Sequence, residues 1–109
     1  MRIQPSNLFS SLHTVPGTEE FTTLLAVGGT MIERIVSCSH ASPAGFWYDQ
    51  ADDEWVLVLE GTATLEFDPG APVDMKAGDH LFIPRHTRHR VSGTGPRTIW
   101  LAVYLSAAT

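Results

Sequence analysis

Nowhere in the chain do apolar side chains recur at helical spacing over ten residues or more. Short β-branched and aromatic runs alternate instead with turn residues, and that pattern belongs to strands. The runs are Phe21–Val27, Met31–Ser39, Phe46–Gln50, Trp55–Leu59, Thr62–Phe67, Val73–Lys76, Leu81–Pro84, His89–Ser92 and Thr98–Leu105. Between them stand Gly28-Gly29, Glu60-Gly61, Asp68-Pro69-Gly70, Ala77-Gly78-Asp79 and the GTGP stretch from Gly93 to Pro96. Glycine accepts positive φ and proline presets its own, so these are turns with a mechanism. Many short strands closely spaced predict an all-β domain of two antiparallel sheets, a sandwich or barrel. At 109 residues one domain is expected, with residues 1–20 a mostly irregular arm and the barrel spanning about 21–105.

Charge and cysteine content exclude several classes. A net charge of −5 leaves no basic stripe to neutralise phosphates, so a nucleic-acid partner is not expected. The single cysteine, Cys38, excludes an internal disulfide and a four-cysteine zinc site. The opening MRIQPSNLFSSL lacks the apolar core of a signal peptide, and no apolar run approaches the ~20 residues of a membrane span. A cytoplasmic location is the expectation.

The chemistry-bearing residues concentrate between Phe46 and Val91. Glu54 and His89 each sit in a strand-like run and are expected to project into one shared cavity at the barrel mouth. Strand alternation puts Tyr48 and Gln50 on one face and Trp47 and Asp49 on the other, unless a bulge at 51–53 turns Asp49 round. Trp47 and Tyr48 are candidate pocket walls, His40 a candidate at the mouth, and Arg88 a candidate clamp for a substrate carboxylate. For Arg85, Arg88 and Arg90 together, a solvated face paired with acidic residues is the preferred reading. His13 and His80 are expected at the surface, and His86 at the barrel rim. Arg34, among apolar neighbours on its strand, is expected to pair inside the barrel or at a subunit contact.

The spacing of these residues resembles the cupin superfamily. That family's first motif runs glycine, five residues, His-x-His, three or four residues, Glu, six residues, Gly. Here Glu54, WVLVLE and Gly61 match its end, while Tyr48 and Gln50, or Trp47 and Asp49, stand at the histidine positions. The second motif runs glycine, five residues, Pro-x-Gly, two residues, His, three residues, Asn. Gly78, Pro84 and His89 match it, with His86 for the glycine and Gly93 for the asparagine. The resemblance covers roughly residues 30–105.

It implies a double-stranded β-helix, the jelly-roll barrel, usually a homodimer, with one divalent metal bound in the mouth by three histidines and a glutamate. Only Glu54 and His89 survive of that set. Gln50 and Tyr48 would stand in, or Asp49 if the chain bulges. An imidazole facing a carboxylate suits iron, manganese, nickel or zinc. The leading expectation is therefore a cupin that binds a divalent transition metal through Gln50, Glu54, His89 or Asp49, and a small polar ligand. Its chemistry as an enzyme would be activation of dioxygen or of an enolisable carbonyl, with Glu54 and Tyr48 the catalytic candidates. The rivals are a metal-free binding module and a metal-free isomerase or lyase in which Glu54 works with His89 or Tyr48.

Overall fold

Alternation along the segment DEWVLVLE decides where the interior lies. Glu54, Val56 and Val58 are buried, while Trp55, Leu57 and Leu59 between them are half-buried on the opposite face. This is strand β3 (Asp53–Glu60) of a computed structural model that describes residues 2–106. The other strands are β1 (Thr18–Val27), β2 (Thr30–Cys38), β4 (Thr62–Asp68), β5 (Val73–Lys76), β6 (His80–Ile83), β7 (Arg88–Thr94) and β8 (Thr98–Leu105). They form two antiparallel sheets, one of five strands in the order β1-β2-β8-β3-β6 and one of three in the order β5-β4-β7. The architecture is all-β with two antiparallel sheets, as the strand pattern predicted, and it is the jelly roll that the cupin resemblance implied. Among the described residues no helix is long and apolar enough to cross a membrane.

The core lies between the sheets. Ile35, Val56, Val58, Trp100 and Ala102 from the larger sheet meet Ala63, Leu65, Met75 and Val91 from the smaller. Burying a branched aliphatic side chain such as Val58 fully contributes roughly 2 kcal/mol. Gly61 closes the β3–β4 turn at φ +87°, and a Cβ there would collide with the Arg97 carbonyl. Only glycine meets both conditions.

Two expectations about the elements need correction. Phe46–Gln50 is not a strand. It touches the sheets at one isolated bridge, Tyr48 to His89, because Pro43 and Gly45 on one side and the bend at 51–52 on the other leave no room for a ladder. Strand β1 begins at Thr18, so the irregular arm ends earlier than residue 20. Glu19 and Glu20 pair with Ser37 and Val36 of β2.

The arm is tied down by a residue expected elsewhere. Arg34 is on the face of β2 opposite the core residue Ile35. Its guanidinium donates to the carbonyls of Leu8 at 2.8 Å and Ser10 at 2.7 Å, and it is only 5% exposed. It thus holds residues 8–11 against the outside of the larger sheet, with Glu20 as its ionic partner at 3.7 Å. Beyond the arm, the same outer face carries a row of directly paired residues, Leu25, Ile32, Val103, Trp55 and Phe82. Leu25 and Phe82 at its ends are exposed.

Candidate functional site

The single bridge between Tyr48 and His89 builds the site. Tyr48 N–H donates to the His89 carbonyl at 2.7 Å, and His89 N–H donates to the Tyr48 carbonyl at 3.1 Å. Residues directly opposite in an antiparallel pair project to the same side. The phenol and imidazole rings therefore stack, with centroids 5.3 Å apart and planes inclined by 24°. Gln50, two residues on, returns to the same side, and its carbonyl accepts from His86 N–H at 2.8 Å. From the other sheet, β3 delivers Glu54 and β8 delivers Tyr104, which are paired across the ladder. β1 brings Glu19 and Phe21 to the rim.

The result is a cavity of about 50 Å³. One water needs ~10–15 Å³ on this scale, so the cavity holds only a few heavy atoms. Aliphatic side chains such as Val56, Leu65 and Val91 make its floor. Tyr48, Gln50, Glu54, His89, Tyr104 and Glu19 supply its polar groups.

Glu54 and His89 are 6% and 5% exposed. His89 Nδ1 lies 2.7 Å from the Thr87 carbonyl oxygen, which can only accept, so Nδ1 carries the proton. The bare Nε2 faces Glu54 Oε1 at 3.7 Å. That is beyond hydrogen-bond reach and leaves a gap between base and acid. Burial, with the nearby Glu33 carboxylate adding to it, pushes the Glu54 carboxyl up to about 7. Burial pushes the His89 imidazole down, against the opposing effect of the Thr87 carbonyl. Both groups are thus biased towards their neutral forms, as expected when charge is taken out of water.

The phenols are held protonated. Burial, then the Glu19, Glu54 and Glu33 carboxylates, raise Tyr48. Burial, then Glu54 and Glu33, raise Tyr104, whose hydroxyl donates to Glu33 Oε1 at 3.2 Å. Glu33 itself is raised by burial, with Glu19 adding to it. Glu19 is anchored by a relay in which Trp100 Nε1 donates to Ser37 Oγ at 3.1 Å and Ser37 Oγ donates to Glu19 Oε2 at 2.7 Å.

Among the candidates read from the sequence, Tyr48, Gln50, Glu54 and His89 come together. Asp49 does not join them. Its side chain points away, as alternation around Tyr48 requires, and meets His86 Nδ1 at 2.8 Å on the surface. Trp47 and Arg88 also lie outside the cavity: Arg88 stacks over the Trp47 ring at 5.3 Å and pairs with Asp68. Arg85 pairs with Asp53 and Arg90 with Glu66. His40 stands behind the rim, 3.7 Å from Glu19 Oε1.

Glu19, Glu33 and Tyr104 were not among the candidates. Glu33 was legible in part, since alternation puts it on the face of Ile35. Glu19 was hidden by its placement in the arm.

The donor set does not fit a resident transition metal. Among the described residues no three histidine, cysteine, aspartate or glutamate side chains are grouped to hold one ion. Glu54 and His89 are two strong donors and Gln50 a weak neutral one.

A family described as the cupin domain matches residues 42–104. A crystal structure from Ralstonia eutropha JMP134, provisionally described as a mannose-6-phosphate isomerase, is 44% identical, with a TM-score of 0.90 over 96% of this chain and 100% of that one. A cupin superfamily protein of Desulfitobacterium hafniense DCB-2 is 20% identical, with a TM-score of 0.79 over 98% and 94% of the two chains. A conserved Streptococcus pyogenes protein is 14% identical, with a TM-score of 0.79 over 100% and 92%. No protein of curated function matches the chain.

Proposed function

The chain belongs to the cupin family, and on that premise we propose that it is a metal-independent acid–base enzyme, an isomerase acting on a small α-hydroxycarbonyl compound. One observation carries this reading: a carboxyl poised at about 7 faces a neutral imidazole across 3.7 Å in a mostly apolar cavity at the barrel mouth. A general base works best when its pKa lies near the operating pH. The isomerase description of the 44% identical relative supports the same reaction class.

In this reading Glu54, as carboxylate, removes the proton from the hydroxyl-bearing carbon and returns it to the neighbouring carbonyl carbon. The Tyr48 hydroxyl, kept protonated, donates to the carbonyl oxygen as negative charge grows there. His89 Nε2 accepts the proton of the substrate hydroxyl, which then passes to the former carbonyl oxygen as the enediol collapses. One proton moves between carbons and one between oxygens, so nothing is oxidised or reduced overall.

The test is deuterium exchange in heavy water, followed by proton NMR with glyceraldehyde, dihydroxyacetone and 1-amino-3-hydroxypropan-2-one. The wild type is expected to wash deuterium into the carbon beside the carbonyl, and Glu54→Gln to fail. Equal exchange by the two proteins, or none by the wild type, refutes the proposal. In the rival reading as a binding module, Glu54→Gln keeps most of the affinity and neither protein exchanges.

For assembly, a homodimer is the proposed state. The row Leu25, Ile32, Val103, Trp55 and Phe82 supports it, since a contiguous apolar row left to water marks a contact surface.

A further inference from the structure

The cavity's charge is one-sided. Glu19 and Glu54 line it and Glu33 stands behind Tyr104, yet no lysine or arginine is among its lining residues. The arginines close to it are all engaged outside: Arg85 with Asp53, Arg88 with Asp68 and Arg90 with Glu66. The one imidazole in the wall, His89, presents a lone pair rather than a proton. Only the His40 imidazole, 3.7 Å from Glu19 Oε1 and outside the cavity lining, stands against these carboxylates, so an anion entering here would lose its hydration with no cation to meet it.

A second observation points to what belongs there. The Glu54 side chain is only 8% exposed, borders the cavity, and accepts no hydrogen bond from any described residue, so its oxygens open onto the cavity. An acceptor that faces the cavity with no protein donor is open to a ligand that brings one, and a hydrogen bond to a charged group is among the stronger ones. Phe21 and Trp100 are aromatic residues among those that line the same walls. Aromatic faces attract a cation, most strongly when water is excluded.

We infer that the cavity selects a small organic ammonium, and that the substrate of the isomerase proposed above is an amino-substituted α-hydroxycarbonyl compound and not a phosphorylated sugar. The inference rests on that reading of the site for its reaction and on the charge of the walls for its ligand class. An ammonium N–H donates to Glu54 while Glu19 completes the charge balance from the rim. A hexose phosphate is excluded by its dianionic group, for which no lysine or arginine lines the cavity.

The test compares three ligands of nearly equal size and different charge, namely ethanolammonium, ethylene glycol and glycolate, by NMR titration of the wild-type protein at about pH 8. Ethanolammonium is expected to bind at least ~10-fold more tightly than ethylene glycol, a modest gain for a charge pair out of bulk water, and glycolate not at all. Glu19→Gln is expected to shrink the preference for ethanolammonium several-fold. Glycolate or mannose 6-phosphate binding as well as ethanolammonium, or equal binding of ethanolammonium and ethylene glycol, overturns the inference. The two proposals fail separately. A cation preference without deuterium exchange leaves the ligand class standing and removes the isomerase, whereas exchange without a cation preference does the reverse.

Discussion

Replacing Glu54 with glutamine should stabilise the protein while abolishing its chemistry, and the gain should depend on pH in a defined way. In the unfolded chain this carboxyl ionises near its ordinary 4.5, whereas in the fold it does so at about 7. Below the ordinary value both states hold the proton, and ionisation costs the fold nothing. As pH rises from there to the folded value, the unfolded chain ionises and the folded one resists, so stability is lost. The full loss is roughly 3 kcal/mol at ~1.4 kcal/mol per pH unit of displacement.

Glutamine keeps the shape and cannot ionise. The Glu54→Gln protein should therefore match the wild type at about pH 4 and exceed it by up to roughly 3 kcal/mol at about pH 8, or roughly 10 °C in Tm for a domain of this size. His89 slopes the other way. Its depressed folded value gives stability that is present above the ordinary 6.5 and lost as pH falls through the folded value. That slope is common to both proteins and cancels in their difference. Thermal or urea unfolding of the pair across this range is the assay. Parallel stability curves would show that Glu54 is not strained by burial and would remove the basis for a base tuned to neutral pH.

Other outcomes follow from the same geometry. Catalytic efficiency of the wild type should rise with pH through about 7 as Glu54 becomes the carboxylate, and a profile flat across neutrality contradicts its role. Tyr48→Phe keeps the ring stacked on His89 but removes the donor, and should slow deuterium exchange ~100-fold with little change in Tm. Exchange activity should survive dialysis against a chelator, and its loss with recovery on adding a divalent ion would restore a metal to the site. Phe82→Glu, at the exposed end of the outer row, should shift the mass measured by light scattering from dimer towards monomer while leaving exchange in place. Gly61→Ala should cost more than ~2 kcal/mol, because it combines positive φ with a collision against the Arg97 carbonyl, and an unchanged urea midpoint would refute that.

Much of the molecule could be read from residue order alone. A strand's faces follow from a period of two, so Val56 and Val58 inside, Glu54 beside them, and the turn at Gly61 were all visible in DEWVLVLEG. The same rule separated Tyr48 and Gln50 from Trp47 and Asp49, although the segment carrying them is a single bridge and not a strand. Those are local properties, set by backbone geometry over a few residues.

What only the tertiary structure decided is who meets whom across the cavity. Glu19 and Glu33 are far from Glu54 in the chain, and β1 and β2 bring them close through pairings whose register depends on the whole sheet. Burial, with Glu33 adding to it, moves the acidity of Glu54, and burial, with Glu19 and Glu33 among the charges adding to it, moves that of Tyr48; the same carboxylates make the cavity hostile to anions. Electrostatic coupling acts through space and desolvation through enclosure. Neither leaves a periodic mark along the chain, so residue order showed which side chains point inward but not what they would do to one another there.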